Sequence, residues 1–227
     1  MFSSAILPFK FSEAKLLVDL KSCEVFEFSQ HFNRDDFSGD WKCISLRSKD
    51  GDPSNIKAFS PNGEFMDTPL LLECSYFEEI VTSLKCDKES IRLLNLTAGS
   101  KIHEHTDHNL GYEDGVFRLH IPITTNKDVV FYIDNQLVVM EVGDCWYGDF
   151  NAPHLVENNG KIDRVHLVID CIRNEWSDAI FEKLGYDFSK ENTPIQYSEE
   201  TKQMIIENLK LLKTPTSEQL IQDLLNS

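Results

Sequence analysis

Hydrophobic positions change their period twice along this chain. In SEAKLLVDL, residues 12–20, apolar side chains recur at helical intervals behind Ser12, an N-cap type, with Glu13 in the first turn. Phe28 to Met66 is irregular. Turn formers in GDW, DGDP and SPNGE separate short apolar runs such as WKCISL, which predicts strands and loops beside a core. A second helix is predicted in DTPLLLECSYFEEIVTSLKC, with Thr68 as cap, Pro69 in the first turn, and Leu71, Cys74, Phe77, Val81 and Leu84 at helical spacing.

From Ile91 the period falls to two. The runs IRLLNLTAGSKI, VFRLHIPIT, VVFYIDNQLVVMEVGDCWYGDF and DRVHLVIDC are branched and aromatic, divided by AGS, IDNQ, VGD and NNGK. Closely spaced strands without long helices between them predict a mainly β fold with flanking helices, its core a double-stranded β-helix, the jelly roll of cupin-like proteins. Helical patterning returns in EWSDAIFEKLG, in Ser198 to Lys213, and in TSEQLIQDLL, where Thr216 and Gln219 have capping-box spacing. A chain of 227 residues can bury one substantial core. The reading is a single domain over 1–227: flanking helices and strands in 1–90, the jelly roll in 91–172, and a helical extension in 173–227.

Charge and cysteines narrow the setting. A formal net charge of -16 opposes nucleic acid or an anionic membrane as partner, since phosphate binding needs a basic footprint. Six cysteines occur with no C-x-x-C pair, the N-terminal residues lack a secretory pattern, and no apolar segment reaches the roughly 18 to 20 residues of a membrane span. A cytoplasmic protein with reduced, buried thiols is expected, and the NLT at Asn95 reads as strand rather than glycan site. Met204, Ile205, Leu209, Leu212, Leu220 and Leu224 offer an apolar face either to the protein's own sheet or to a second subunit, which leaves monomer and homodimer both open.

The segment Lys101 to Ile123 holds four of the seven histidines. On a strand, His105 and Asp107 would share a face while Thr106 turns away. His154, after Pro153 in NAPHLVENNG, is the best-placed third ligand. Two histidines and one carboxylate form the facial triad of non-haem Fe(II) oxygenases, with open positions for cosubstrate and O2, whereas structural zinc more often sits in a closed tetrahedron. H-x-D alone is a weak signal. Arg164, ten residues beyond His154, strengthens it: a guanidinium buried near a metal needs an anion, and the distal carboxylate of 2-oxoglutarate is one. An ordinary cross-strand salt bridge is the plainer role for Arg164.

These residues also carry a family resemblance. RLLNLTAGSKIHEHTDHNLGYEDGVFRLHIPI and VGDCWYGDFNAPHLVENNGKIDRVHLVIDC resemble the aspartyl/asparaginyl beta-hydroxylase family of Fe(II)- and 2-oxoglutarate-dependent oxygenases, with a layout similar to bacterial free-proline hydroxylases. The resemblance is strong over Ile91 to Cys171 and weaker upstream. Animal members replace the acidic ligand by glycine, and this chain keeps Asp107. By resemblance, Arg118 and His120 in FRLHIPI lie in the active site; Arg118 is assigned to a substrate carboxylate and His120 to a position near the iron-bound carboxylate of 2-oxoglutarate, a division the residues leave open.

Other residues are secondary. Arg47 is either a surface arginine or a second substrate-binding anion contact. His103 is placed at the barrel mouth or behind the ligands, His108 and His166 are read as structural, and Trp146 and Tyr147 as packed strand residues or a pocket wall. The activity implied is hydroxylation of an unactivated C–H bond in a small carboxylate-bearing molecule, an amino acid or short peptide with an aspartyl- or asparaginyl-type residue, using Fe(II), 2-oxoglutarate and O2. Halogenation is disfavoured because Asp107 fills the ligand position. A cupin-like module that binds a metal or small acid without turnover is the alternative.

Overall fold

A computed structural model describes residues 2–58, 64–191, 199–212, 217, 220–222 and 224. They divide into two compact units, Met1–Ser189 and Lys190–Ser227. Strands of the first unit are, in order, β1 (Ser4–Lys10), β2 (Ser29–Gln30), β3 (Phe37–Ser38), β4 (Trp41–Ser48), β5 (Met66–Asp67), β6 (Lys88–Leu96) and β7 (Lys101–His105). They continue as β8 (Val116–Thr124), β9 (Val129–Ile133), β10 (Gln136–Leu137), β11 (Asp144–Gly148), β12 (His154–Asn158) and β13 (Arg164–Ile172). Its helices are α1 (Glu13–Cys23), α2 (Pro69–Leu72), α3 (Ser75–Ser83) and α4 (Glu175–Lys183).

An eight-stranded sheet runs β1-β11-β8-β13-β6-β4-β2, with β5 on β4, and a five-stranded sheet runs β10-β9-β12-β7-β3. From β6 to β13 the chain passes from one sheet to the other at nearly every connection, which is the winding of a jelly roll. Strict alternation gives the large sheet two different faces. Phe117, Leu119, Ile121 and Ile123 of β8, with Val165, Leu167, Ile169 and Cys171 of β13, pack in the core that also takes Leu16 and Leu20 of α1, Phe77 and Ile80 of α3 and Phe181 of α4. The intervening residues Arg118, His120, Arg164, His166 and Asp170 are buried too, on the face turned to the small sheet. There Leu94, Leu96 and Val168 meet Ile102, Phe131, Ile133 and Val156 across the sandwich.

Three details differ from the sequence reading. Ser4–Lys10 forms a strand on the edge of the large sheet, paired with β11. The long helix expected from Thr68 breaks into α2 and α3 around Cys74, because the Asp19 carboxylate of α1 accepts the backbone N–H groups of Tyr76 and Phe77 at 2.8 Å each and caps a new helix there. Thr68 makes no side-chain cap; its hydroxyl donates to the carbonyl of Leu46 at 3.1 Å. α4, read as part of the C-terminal extension, lies in the first unit, opened by a reciprocal Asn174–Ser177 capping box and anchored by Phe181 stacked on Tyr112 at 3.6 Å.

The second unit contains α5 (Glu199–Leu212). Ser198, Lys213 and the Thr216–Gln219 capping box lie outside the described residues, as does the side chain of Leu212. Among the described residues no helix is long and apolar enough to cross a membrane.

Candidate metal centre

β7 and β12 are antiparallel neighbours, and their register sets His105 opposite His154. The two ring centroids are 4.2 Å apart. Nδ1 of His105 lies 2.8 Å from the His103 carbonyl and Nδ1 of His154 3.0 Å from that of Ala152. A carbonyl can only accept, so each Nδ1 carries the proton and each Nε2 keeps its lone pair for a metal. Asp107 is not on the strand, which ends at His105. It follows in the loop, where its N–H donates to the Phe150 carbonyl at 2.9 Å. This corrects the strand-alternation argument: the carboxylate reaches the same side because the loop is tied to residue 150. One ligand atom from each of His105, Asp107 and His154 lies within 4.8 Å of the others. Ligands sharing an ion at about 2.1 Å each stand no more than about 4.2 Å apart, so closure needs only a small rotamer movement.

Electrostatics suit a cation. Burial pushes the His154 imidazole down to about 4, against a raising hydrogen bond to Ala152, which keeps it neutral at neutral pH. For Asp107, burial works to raise the carboxyl, but Arg118, His154 and His105 outweigh it and hold it below the usual range. A neutral imidazole and an ionised carboxylate are the forms that ligate.

Arg118 secures the carboxylate. Its Nη1 donates to Asp107 at 2.7 Å, while Nε and Nη2 donate to Asp170 at 2.6 and 3.2 Å. Asp170, 2 % exposed, also accepts from Ser90 at 2.6 Å and Arg92 at 3.3 Å. The expected role of Arg118 therefore shifts: its guanidinium bridges two aspartates, Asp107 and Asp170. Cross-strand register brings these groups together, since Asp170 faces Arg118 and Val168 stands between His120 and Arg92.

Arg164 is the opposite case. It is 2 % exposed, and among the described residues no carboxylate pairs with it. Nη2 lies 3.0 Å from Nδ1 of His166, the guanidinium sits 5.2 Å from the Phe131 ring centroid, and Nε has no partner. Burial pushes its pKa down to about 9. His120 has its Nδ1 3.2 Å from Nδ1 of His166 and its Nε2 buried without a partner.

A cavity of about 370 Å³ gathers these groups: the triad, Arg92, Arg118, His120 and Arg164 all line it, with Phe131 and Phe150. At one side His31 is stacked on Trp41 at 3.6 Å and on Phe32 at 4.4 Å. Sequence reasoning missed His31, Trp41, Arg92, Phe150 and Asp170. Asp170 was within its reach, because in RVHLVID it falls on the parity of the buried Arg164 and His166. His31 was not, because it sits in an irregular segment. Arg47 stands outside the cavity lining; its Nη1 pairs with Asp67 at 2.5 Å and its Nε donates to the Lys88 carbonyl at 3.1 Å, because β4 pairs with β5 there. His108 lines the cavity, His103 contributes its carbonyl, and Tyr147 packs in the helix-side core while Trp146 packs in the inter-sheet core.

The profile of the Aspartyl/Asparaginyl beta-hydroxylase family matches residues 12–174, a span that includes every residue of this centre. The chain belongs to that family. A relative, L-proline cis-4-hydroxylase of Rhizobium meliloti (strain 1021), is 31% identical over 164 residues, covering 71% of this chain and 58% of that protein. This chain thus spans less than two thirds of that relative's length. The fold of this chain is similar to that of solved structures: an oxidoreductase of the 2OG-Fe(II) oxygenase family from Burkholderia pseudomallei superposes with TM-score 0.51 at 12% identity, over 76% of this chain and 86% of that one. HygX from Streptomyces hygroscopicus, solved with nickel and 2-oxoglutarate bound, gives TM-score 0.51 at 8% identity over 76% and 84%.

Proposed function

We propose that this chain is an Fe(II)- and 2-oxoglutarate-dependent dioxygenase that hydroxylates a C–H bond of a small carboxylate-bearing molecule, an amino acid first of all. The observation that carries this reading is the buried, carboxylate-free guanidinium of Arg164 in one cavity with His105, Asp107 and His154. A buried cation without a counter-ion is expensive, and an arriving carboxylate repays that expense with two charge-assisted hydrogen bonds.

His105, Asp107 and His154 would hold the iron, the Nδ1 protons of the histidines being committed to backbone carbonyls. Bound there with 2-oxoglutarate and O2, iron supplies oxidative decarboxylation to succinate and carbon dioxide coupled to hydroxylation. The protein's own work is positioning. Arg164 fixes the distal carboxylate of the cosubstrate. Arg118 keeps Asp107 oriented, and Phe131 and Phe150 exclude water from the cavity walls.

A second carboxylate site is supported by Arg92. Arg164 faces Leu96 in register, and Arg92 lies four residues earlier on β6, about 13 Å along the strand. One small diacid cannot serve both guanidinium groups and a metal. Arg92 Nε and His31 Nδ1 are buried without partners, and both residues line the cavity. We therefore assign the substrate carboxylate to Arg92 with His31, in place of Arg118. Six free thiols accord with a reducing compartment such as the cytoplasm.

The test is a mass-spectrometric screen with Fe(II), ascorbate and 2-oxoglutarate, scoring one added oxygen atom and substrate-dependent succinate. L-proline, the substrate in the relative's name, heads a panel of free amino acids and short acidic peptides. Binding of metal and 2-oxoglutarate with no succinate from any of them would favour the non-catalytic binding module.

A further inference from the structure

We propose that the carboxylate anchor is extensible: Arg164 can draw back into a second cavity behind it, so that the site also takes 2-oxo diacids one methylene longer than 2-oxoglutarate. The ligand named here rests on the oxygenase reading, whereas the space behind Arg164 does not.

Arg164 stands at the end of the first cavity farthest from the metal site. On β13 the inner-face residues run Asp170, Val168, His166 and Arg164, and Asp170 is bound to Arg118 beside Asp107. Arg164 therefore lies about 20 Å of strand from the metal end. The small sheet runs the same way: His154 is opposite Ile133 at the metal end, Val156 opposite Phe131, and Asn158 opposite Val129. Val129 lines a second cavity, of about 170 Å³, with Thr125, Asn126, Val138 and Met140. Arg164 and Phe131 line both cavities and so form the partition between them, the guanidinium 5.2 Å from the ring centroid.

Little holds the guanidinium at that position. Among the described residues its one hydrogen bond runs to His166 Nδ1, at 3.0 Å, and its Nε has no partner. An arriving carboxylate becomes its strongest partner, and the pair can shift together on the rotatable arginine stem. One added methylene lengthens a diacid by at most one carbon–carbon bond, about 1.5 Å. The rear cavity is several times larger than the roughly 30 Å³ that one water takes up in the liquid, and a methylene needs no more. A closed pocket would behave otherwise: an extra methylene forced against a packed wall weakens binding by roughly 5- to 150-fold.

Calorimetric titration of Zn(II)-loaded protein with 2-oxoglutarate and with 2-oxoadipate reads the difference without turnover. The expected Kd for 2-oxoadipate lies within about fivefold of that for 2-oxoglutarate. Val138 lines only the rear cavity, so Val138→Phe, which fills it, should weaken 2-oxoadipate by about tenfold or more and leave 2-oxoglutarate within about twofold. Val138→Ala should keep the ratio of the parent. Should Val138→Phe not fold, Met140→Phe fills the same space from another wall. A 2-oxoadipate Kd more than about fivefold above that of 2-oxoglutarate in the parent, or an unchanged ratio in the filled variant, overturns the proposal. Absence of 2-oxoglutarate binding marks failure of the oxygenase reading itself; 2-oxoglutarate binding without 2-oxoadipate binding marks failure of the extensible anchor alone.

Discussion

His105 and His154 face each other as register partners on β7 and β12, each with its Nδ1 tied to the carbonyl two residues before it. The same short-range pattern on both strands presents two Nε2 atoms to one point, beside Asp107. His154→Ala should therefore abolish tight binding of a single divalent ion while circular dichroism stays close to that of the parent, because the ring of His154 packs on Phe150 and His105 at the cavity wall and not in the helix-side core. Calorimetric titration with Ni(II) or Fe(II) checks this. Undiminished stoichiometric binding would remove His154 from the ligand set.

Arg118→Lys tests the bridge between the metal site and the sheet. Lysine keeps the charge but cannot donate at once to Asp107 and to both oxygens of Asp170. Metal affinity should fall by about 10- to 100-fold, the usual effect of losing a partner that orients a ligand. An affinity within about twofold of the parent would mean the loop holds Asp107 without help.

For Arg164→Met two opposite effects are expected. The affinity for 2-oxoglutarate should drop by a factor of about 30 to several thousand, corresponding to roughly 2 to 5 kcal/mol for a truncated buried charge pair. The ligand-free protein should instead melt at a higher temperature, because an unpaired buried cation is gone. Unchanged affinity in titration would move the anchor elsewhere.

Asp170 pairs with Arg118 and Arg92 at once, with all three side chains at least nine-tenths buried. Asp170→Asn should lower stability by about 3 to 5 kcal/mol, since it strands buried charge. Urea denaturation measures it; a loss under about 1 kcal/mol would show that the arginines find other partners.

His31 predicts a pH effect. Burial first, then the charge of Arg92, lowers its pKa from 6.5 to about 3. As pH falls the unfolded chain takes the proton first, so the stability held by neutral His31 is complete above 6.5 and is lost between 6.5 and 3. By pH 5 the loss from this residue is about 2 kcal/mol. His31→Phe, which keeps a ring on Trp41, should flatten the fall in melting temperature of the metal-free protein from pH 7 to 5. A slope equal to that of the parent would refute the assignment.

Much of the β framework was legible because a strand writes its burial in alternate residues. FRLHIPI and RVHLVID each announce an apolar parity and a polar one, and the polar one proved to be the cavity face. The H-x-D pair and a later histidine were legible for their chemistry. Less visible were events in which one segment completes another. Asp19 caps α3 from 58 positions upstream of Phe77 and breaks a helix whose local spacing was unbroken. Arg118 read as an active-site arginine and Arg47 as a surface arginine or a second anion contact, and only the folded chain shows that one bridges Asp107 and Asp170 while the other turns to Asp67.

The sequence by itself determined which residue types could ligate and which strands would have a polar inner face, because ionisable chemistry and side-chain period are local properties. Only the tertiary structure decided which charges were already matched. Arg92 and Arg118 share Asp170 while Arg164 meets only a histidine, and that difference depends on which strand lies beside which. Pairing energy falls off within a few ångströms, so partners distant in sequence are assigned by strand register alone.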